Sequence, residues 1–384
     1  MVNVKAGSQV YQLLQLLAYA GELPTSCLAM IGNERVWKEK LIHRLESVQD
    51  VRCSTSGEIY QTSLVTVSGI RGKRTIRLSR GALSVLREMD THAHQYYMDA
   101  FGRHNFSGDI RHIDRNHRVA EGLALCHGAE ITYQPHMLPE LSKTKKIREL
   151  PASPRFYIAR DIKQLGDEEL NKTSYTRYIG ALFYPGGGYI MYNTRNASMK
   201  WSISGELKMV ELLDEIARMS AGLDNIRSAL LLGSDAGTAL QSILDSALNR
   251  NKACRMDHTF PQTHFVPLNA DGPRLLKILT LPDWNEKLLT ALFNNSQRRQ
   301  GFGNFEYDAV AGERFVYSHL DSDLARLIRL KEAVKDDLHQ IEVLGYPWQL
   351  QFLREYLGPS VVLTPIEMND VEAALHLEVV FVSS

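Results

Sequence analysis

The N-terminal part of the chain carries a helical pattern followed by an alternating one. Apolar side chains recur at helical spacing from Val10 to Tyr19, and Gly21 predicts the end of this first helix. The pattern predicts a shorter second helix at Cys27–Ile31 and a third helix from Glu34 to about Val48. The third helix buries its apolar positions and exposes most of its basic ones, which is typical of an amphipathic surface helix.

Alternating apolar and polar positions after the third helix predict a β-hairpin. Its strands are Tyr60–Val67 and Thr75–Leu78, and the tip between them contains glycines and cations. A fourth helix, Arg80–Met89, follows. Three helices and then a two-stranded basic hairpin are the order of a winged helix-turn-helix, whose third helix enters the major groove while the hairpin approaches the phosphates. We therefore predict a winged helix-turn-helix DNA-binding domain over residues 1–90.

The rest of the chain predicts a connector and a second domain. Residues 91–150 read as a helical, basic connector, with one helix at Asp114–His127. From Phe156 onward strands and helices alternate, and hairpins such as Tyr178–Asn193 interrupt the helical crossovers. We expect a mixed-sheet α/β domain over residues 151–384, of nuclease-like or recruitment type. The fold class is therefore α/β (α+β overall), with the winged helix-turn-helix at its N-terminus.

Composition narrows the functional classes. The 384 residues are 44% hydrophobic and 23% charged, which is ordinary for a globular protein. The 44 basic residues balance 44 acidic ones, so a uniformly basic nucleic-acid-binding chain is excluded. The charge is uneven, however. Residues 1–90 contain twelve basic and eight acidic residues, whereas the chain from Gly303 onward contains six and fourteen. We expect a polyanionic partner to meet the N-terminal part.

The spacing of the cysteines and the lengths of the apolar runs indicate the compartment in which the protein is located. Its 4 cysteines are far apart and include no C-x-x-C pair, which is typical of a reducing compartment. The N-terminus lacks a signal-peptide pattern, and no apolar run approaches the ~20 residues that span a bilayer. We expect a cytoplasmic protein without a membrane partner.

The third helix and the hairpin carry the candidate DNA-binding residues. Arginine and asparagine pair bidentately with guanine and adenine, and cations neutralise phosphates. The candidates are Asn33, Arg35, Lys38, Lys40, His43 and Arg44 at the helix, and Arg71, Lys73, Arg74 and Arg77 at the hairpin. One alternative is a solvated helix face whose glutamates form surface ion pairs. Another is a winged helix that contacts proteins and does not bind DNA.

The histidine-rich segments do not have the residue spacing that a bound metal ion requires. His92-Ala93-His94, followed by two tyrosines, resembles the metal pair and nucleophile of relaxases. The triplet reads as a continuation of helix Arg80–Met89, where positions two apart lie about 200° from each other and cannot share an ion. The later histidines, up to His127, lack the spacing of a zinc site.

A metal-dependent DNA endonuclease is the alternative function for the C-terminal domain. Asp308 is predicted near the end of one strand, and Asp321 and Asp323 follow its hairpin partner. Converging carboxylates would hold Mg²⁺ against a phosphate, so Mg²⁺ is expected only if the protein is a nuclease. No lysine has the spacing that restriction-type nucleases use. Asp321-Ser322-Asp323 also fits an N-cap for a helix beginning at Leu324.

Several segments resemble the replication-relaxation proteins that plasmids and integrative elements of Gram-positive bacteria carry. The similar segments are LLQLLAYAGELPTSCLAMIGNERVWKEKLIHRLES, KRTIRLSRGALSVL, RNHRVAEGLAL and EYDAVAGERFVYSHLDSDLARLIRLKEAV. The resemblance implies binding of double-stranded DNA on a mobile genetic element, in plasmid replication or mobilisation or in its control. The C-terminal domain would then recruit replication or mobilisation proteins or form a homodimer.

Overall fold

The chain forms two compact units of mixed α/β structure. The computed structural model describes residues 1–32, 35–70, 73–102, 104, 106, 110–144, 151–165, 177–199, 201, 203–248, 255–298, 306–336 and 340–377. The first unit comprises residues 1–140, 155–158 and 268–274, and the second comprises residues 141–154, 159–267 and 275–384. Among the described residues, no helix combines the length and the apolar character that a bilayer span requires.

The described part of the first unit contains an apolar helix, the helices and 3-10 turns that follow it, and two small three-stranded sheets. Its elements are β1 (Val2–Val4), α1 (Gln9–Ala20), β2 (Glu22–Pro24), a 3-10 turn (Thr25–Ala29), α2 (Arg35–Glu46), β3 (Gln49–Cys53), β4 (Ile59–Thr62), β5 (Val65–Ser68), β6 (Thr75–Leu78), α3 (Ala82–Met89), α4 (Thr91–Ala100), α5 (Ile110–Gly128), a 3-10 turn (Pro135–Met137) and β7 (Arg155–Ile158). One sheet has the order β1-β3-β4, and the other, antiparallel throughout, has the order β2-β6-β5.

Helix α1 is the core of this unit. Its N-cap Ser8 accepts a hydrogen bond from the Tyr11 N–H, and the chain leaves the helix through Gly21 at φ 73°. Leu13, Leu14 and five other apolar side chains along the helix are buried. Helices α4 and α5, within the segment predicted as a connector, contact α1. The described part of that segment up to residue 140 therefore belongs to the first unit.

The predicted strand Tyr60–Val67 is wrong, because it is two strands in different sheets. β4 pairs with β3, whereas β5 pairs with β6. The chain turns aside at Leu64, which is fully buried and donates its N–H to the Leu45 carbonyl 2.8 Å away. The alternation of apolar and polar residues continues through this break, so the sequence pattern does not reveal it.

Two smaller predictions about this unit are also corrected. The second helix, expected at Cys27–Ile31, is the 3-10 turn at Thr25–Ala29. The His92 triplet does not continue the preceding helix. It lies on the separate helix α4, which begins after Asp90, whose carboxylate accepts a hydrogen bond from the Ala93 N–H at 2.9 Å. An extended backbone at the cap, φ −155°, separates the two helices.

The second unit contains two mixed sheets flanked by helices. Its elements are α6 (Ala159–Lys163), β8 (Tyr178–Tyr184), β9 (Gly187–Arg195), α7 (Ile203–Ser220), β10 (Ser228–Gly233), α8 (Ala236–Ala247), α9 (Met256–Thr259), β11 (Gln262–Pro267), α10 (Asp271–Leu279, whose first residues belong to the first unit), α11 (Trp284–Leu292), β12 (Ala309–Ala311), β13 (Arg314–Ser318), α12 (Leu324–Asp336), β14 (Gln340–Gly345), a 3-10 turn (Pro347–Gln349), α13 (Leu350–Leu357), β15 (Val362–Pro365) and α14 (Met368–Ala374).

The strand directions in this unit agree with the predicted mixed arrangement. β8 and β9 form an antiparallel hairpin, and β9, β10 and β11 are parallel neighbours. In the other sheet, β12 is antiparallel to β13, whereas β13, β14 and β15 are parallel. The loop after β13 meets β11, because the Phe265 N–H donates to the Ser322 carbonyl at 2.9 Å. This loop therefore lies where the two sheets meet.

Candidate functional site

The predicted DNA-binding helix is α2, and its described basic side chains face solvent. Lys40, His43 and Arg44 are exposed, while Ile42 and Leu45 on the opposite side are buried. The Arg44 guanidinium donates to the Met1 carbonyl at 2.7 Å. Arg35 and Lys38 lie on the same helix. Their side chains, and the whole of Asn33, lie outside the described residues.

The β5–β6 hairpin is hydrogen-bonded to α2 and to the 3-10 turn that precedes α2. The Glu46 carboxylate at the end of α2 accepts a hydrogen bond from the Val67 N–H of β5 at 3.4 Å. The Thr25 N–H, in the 3-10 turn that precedes α2, donates to the Arg74 carbonyl at 2.9 Å. Helix and hairpin are therefore hydrogen-bonded parts of one unit.

The hairpin exposes two of its predicted cations. Lys73 and Arg74 are exposed, and Arg71 lies outside the described residues. Within the part of the chain that the structure describes, the side chains of Lys40, His43, Lys73 and Arg74 make no hydrogen bond or ion pair. These four side chains are open to an external anion.

Arg77 differs from the other candidates because the fold already neutralises it. Its guanidinium forms an ion pair with Glu22 of β2 and lies 4.8 Å from the ring centroid of Phe106. Glu22 is fully buried and also accepts a hydrogen bond from the Asn116 amide at 3.1 Å. The sequence analysis did not identify this role of Arg77. The signal for it was Glu22, an acidic residue that follows the apolar helix α1 after Gly21 and precedes Leu23.

The second unit brings the three candidate carboxylates to one cleft. Asp308, Asp321 and Asp323 line a space of about 610 Å³ together with Arg326, Arg298 and Trp284. The cleft lies beside the ends of β13 and β11. The three arginines that line it, Arg298, Arg326 and Arg329, each form an ion pair with an acidic side chain.

Asp308 is held by an arginine that the sequence did not indicate. One carboxylate oxygen accepts a hydrogen bond from the Arg326 guanidinium at 2.7 Å, and the other accepts from the Ser318 N–H at 2.7 Å. Burial raises the pKa of the Asp308 carboxyl above its usual value, and the Arg326 charge offsets part of this rise. Arg326 also lies over the Tyr317 ring, 4.4 Å from its centroid. A cation of the protein therefore already occupies the position beside this carboxylate.

Asp323 is the N-cap of α12. Its Oδ1 atom accepts hydrogen bonds from the N–H groups of Ala325 at 3.0 Å and Arg326 at 3.2 Å, in the first turn of the helix. The same oxygen accepts from the Thr263 N–H of β11 at 3.0 Å. Asp321 in turn accepts from the Asp323 N–H at 3.1 Å. These bonds are those of a helix cap, the alternative that the spacing also allowed.

Two buried histidines beside the cleft were not identified from the sequence. His264 Nδ1 lies 2.9 Å from the Asp321 carbonyl oxygen, and its ring makes an edge contact with Trp284. Burial lowers the pKa of His319 to about 4, so this imidazole is neutral at physiological pH. Among the described residues, no three histidine, cysteine or acidic side chains are grouped so as to hold a metal ion.

The two regions therefore support different chemistry. The α2–hairpin region offers unpaired cations to a ligand, whereas the arginines of the cleft are paired with acidic side chains. Comparisons of the chain with protein-family models, curated proteins and solved structures find no match.

Proposed function

We propose that this protein binds double-stranded DNA through its first unit. α2 would enter the major groove, and the β5–β6 hairpin would contact phosphates as the wing. The observation that carries the proposal is that α1, β2, the 3-10 turn and α2 are followed by the β5–β6 hairpin, with β3 and β4 of the other sheet inserted between α2 and β5. In this arrangement β2 pairs with β6, and exposed cations lie on both α2 and the hairpin. This order and pairing fit a winged helix-turn-helix.

We extend the proposal to sequence-directed binding on a mobile genetic element, in plasmid replication or mobilisation or in its control. This extension rests on the resemblance of the sequence to the replication-relaxation proteins. The uneven charge along the chain supports DNA as the partner of the N-terminal part, because polyanions are attracted to a basic surface.

The salt dependence of duplex binding tests the proposal. The logarithm of the binding constant falls with the logarithm of salt concentration, with a slope of about −0.9 for each phosphate neutralised. Replacing Lys73 and Arg74 with alanine should reduce the magnitude of this slope by about 2 and weaken binding of all duplexes alike. Fluorescence anisotropy with a labelled duplex at several salt concentrations measures both quantities.

The matched control changes two exposed cations outside the proposed interface. Arg52 lies on β3 of the other sheet, and Lys287 lies on α11 of the second unit. The double variant Arg52→Ala/Lys287→Ala removes the same charge and should keep the wild-type slope. Equal slopes for the two double variants, or no duplex binding at low salt, would contradict the proposal and favour a protein-interaction role.

The alternative of a metal-dependent DNA endonuclease is favoured by one observation, that Asp308, Asp321 and Asp323 line a single cleft. Mg²⁺ at Asp308 would have to displace Arg326 from that carboxylate. Incubating supercoiled plasmid with and without Mg²⁺ tests this alternative. Nicking that requires Mg²⁺ and disappears in Asp321→Asn would favour the endonuclease.

A further inference from the structure

The tip of the β5–β6 hairpin presents a large apolar side chain to solvent. Ile70 is 74% exposed, whereas Ile76 on the adjoining strand is fully buried. Single exposed apolar side chains are common on protein surfaces, so exposure by itself assigns no role. The position of Ile70 and the charges near it carry the inference.

The backbone of the tip projects Ile70 beyond the sheet. The pairing of β5 with β6 ends at Ser68 and Thr75. Gly69 has φ 99°, and a Cβ atom there would lie 2.5 Å from the Lys73 carbonyl oxygen, so a side chain at this position would collide with the backbone. The Lys73 N–H donates to the Ile70 carbonyl at 2.9 Å. Ile70 and Lys73 are therefore hydrogen-bonded to each other beyond the last paired residues of the hairpin.

Two exposed cations follow Ile70 along the chain. Lys73 and Arg74 are exposed, and their side chains have no partner within the described part of the chain. The minor groove of B-DNA is about 6 Å wide and is bordered by phosphates on both sides. Proteins that insert isoleucine and similar apolar side chains into this groove unstack a base step and kink the duplex. An exposed apolar side chain followed closely along the chain by two exposed cations combines the apolar and charged groups that this contact uses.

We propose that Ile70 is a wedge that enters the minor groove at a flexible pyrimidine–purine step and bends the bound duplex. This inference rests on the proposed function. Because the energy of burying the side chain is offset by the cost of unstacking, the wedge affects the shape of the DNA more than the affinity. It should also favour TA steps, which kink easily, over stiff AA steps.

Energy transfer between dyes at the two ends of a duplex of about 30 base pairs tests the wedge, with the full chain as the protein. One duplex carries a TA step in each helical turn, and a second replaces these steps with AA. The wild-type protein should raise the energy transfer of the TA duplex. Ile70→Ala should abolish this rise and lower the affinity for the TA duplex by only about 3- to 10-fold. The salt slope should not change, since no phosphate contact is lost.

The chain offers a matched control. Ile59 is 60% exposed and lies on β4, in the other sheet of the same unit. Ile59→Ala removes the same side chain from a surface and should bend the TA duplex as the wild type does. Ile70→Leu keeps an apolar wedge and should restore most of the bend.

Any outcome other than those expected contradicts the proposal that Ile70 is a wedge. If the wild-type protein binds without bending, or Ile70→Ala bends the duplex fully, the wedge is wrong while DNA binding stands. If the wild-type protein binds neither duplex, both the wedge and the proposed function are wrong.

Sedimentation with vesicles of phosphatidylcholine and phosphatidylserine tests whether the tip binds a lipid surface. Ile70-dependent sedimentation with them, without bending of the duplex, would assign the tip to a lipid surface instead.

Discussion

The hairpin of the first unit and the cleft of the second unit use the same kinds of side chain in opposite ways. Lys73 and Arg74 are exposed and have no ionic partner among the described residues. In the cleft, by contrast, the Arg326 side chain is only 15% exposed and pairs with Asp308, which is 7% exposed. A cation that the fold has already neutralised contributes to stability, whereas an unpaired one is available to a partner. Counting basic residues in the sequence does not separate the two.

Arg326→Ala should have the largest effect of the changes that test this comparison. It leaves the Asp308 carboxylate buried without its charge partner, and breaking a buried pair in this way costs about 3 to 5 kcal/mol of unfolding free energy. Urea denaturation followed by circular dichroism measures the loss.

Arg329→Ala is the control for the Arg326 variant. The Arg329 side chain is 40% exposed, and its partner Glu306 is 45% exposed. Removal of this surface pair should cost no more than about 1 kcal/mol. If both variants were equally stable, the charges of the cleft would not be structural and the contrast with the hairpin would fail.

Arg77 and Arg74 repeat the comparison within a single sheet. Arg77→Ala removes the partner of buried Glu22 and should cost about 1.5 to 3 kcal/mol of unfolding free energy. It should leave the salt slope of duplex binding unchanged. Arg74→Ala should do the reverse, reducing the magnitude of the slope by about 1 with little loss of stability. A change of slope in Arg77→Ala would show that the ion pair does not withdraw this cation from DNA.

Glu206 extends the comparison to a buried carboxyl group, whose effect on stability depends on pH. Burial raises the pKa of this carboxyl to about 8, although Tyr192 and Lys163 oppose the rise. The folded chain keeps the proton that the unfolded chain releases above its ordinary pKa of 4.5. The free energy of unfolding should therefore fall as the pH rises through this window, by up to about 1.4 kcal/mol per unit, and level off above about pH 8.

Glu206→Gln should remove this decline, which urea denaturation at several pH values measures. Glu211, exposed on the same helix α7, provides the control, and Glu211→Gln should keep the wild-type pH dependence. Parallel pH profiles for the Glu206 variant and the wild type would mean that Glu206 is ionised in the folded protein.

The parts of the fold that local patterns determine were predictable from the sequence. α5 and α12 have regular apolar spacing, and both lie close to their predicted positions. The hairpin of β8 and β9 was indicated by glycines between two apolar runs. The three-residue strands β1 and β2 were not predicted, because such short segments have no periodicity and exist only through their distant partners, as Glu22 does opposite Arg77.

The same distinction applies to the candidate sites. A hairpin brings the ends of its strands together, so the approach of Asp308 to the loop containing Asp321 and Asp323 followed from local structure. The neutralisation of Asp308 by Arg326 did not follow from it, since it depends on where the tertiary structure places α12 relative to Asp308. The pairing of Arg77 with Glu22 likewise joins positions 55 residues apart.

The first unit is interleaved with the second along the chain. Residues 155–158 and 268–274 belong to it although they come after its main segment. In β7, Phe156 is fully buried, and its N–H donates to the Thr132 carbonyl at 2.8 Å. A chain that ends near residue 150 would lack this strand and also residues 268–274, so it would not contain the whole first unit. A fusion protein that is meant to contain the complete first unit must also include residues 155–158 and 268–274.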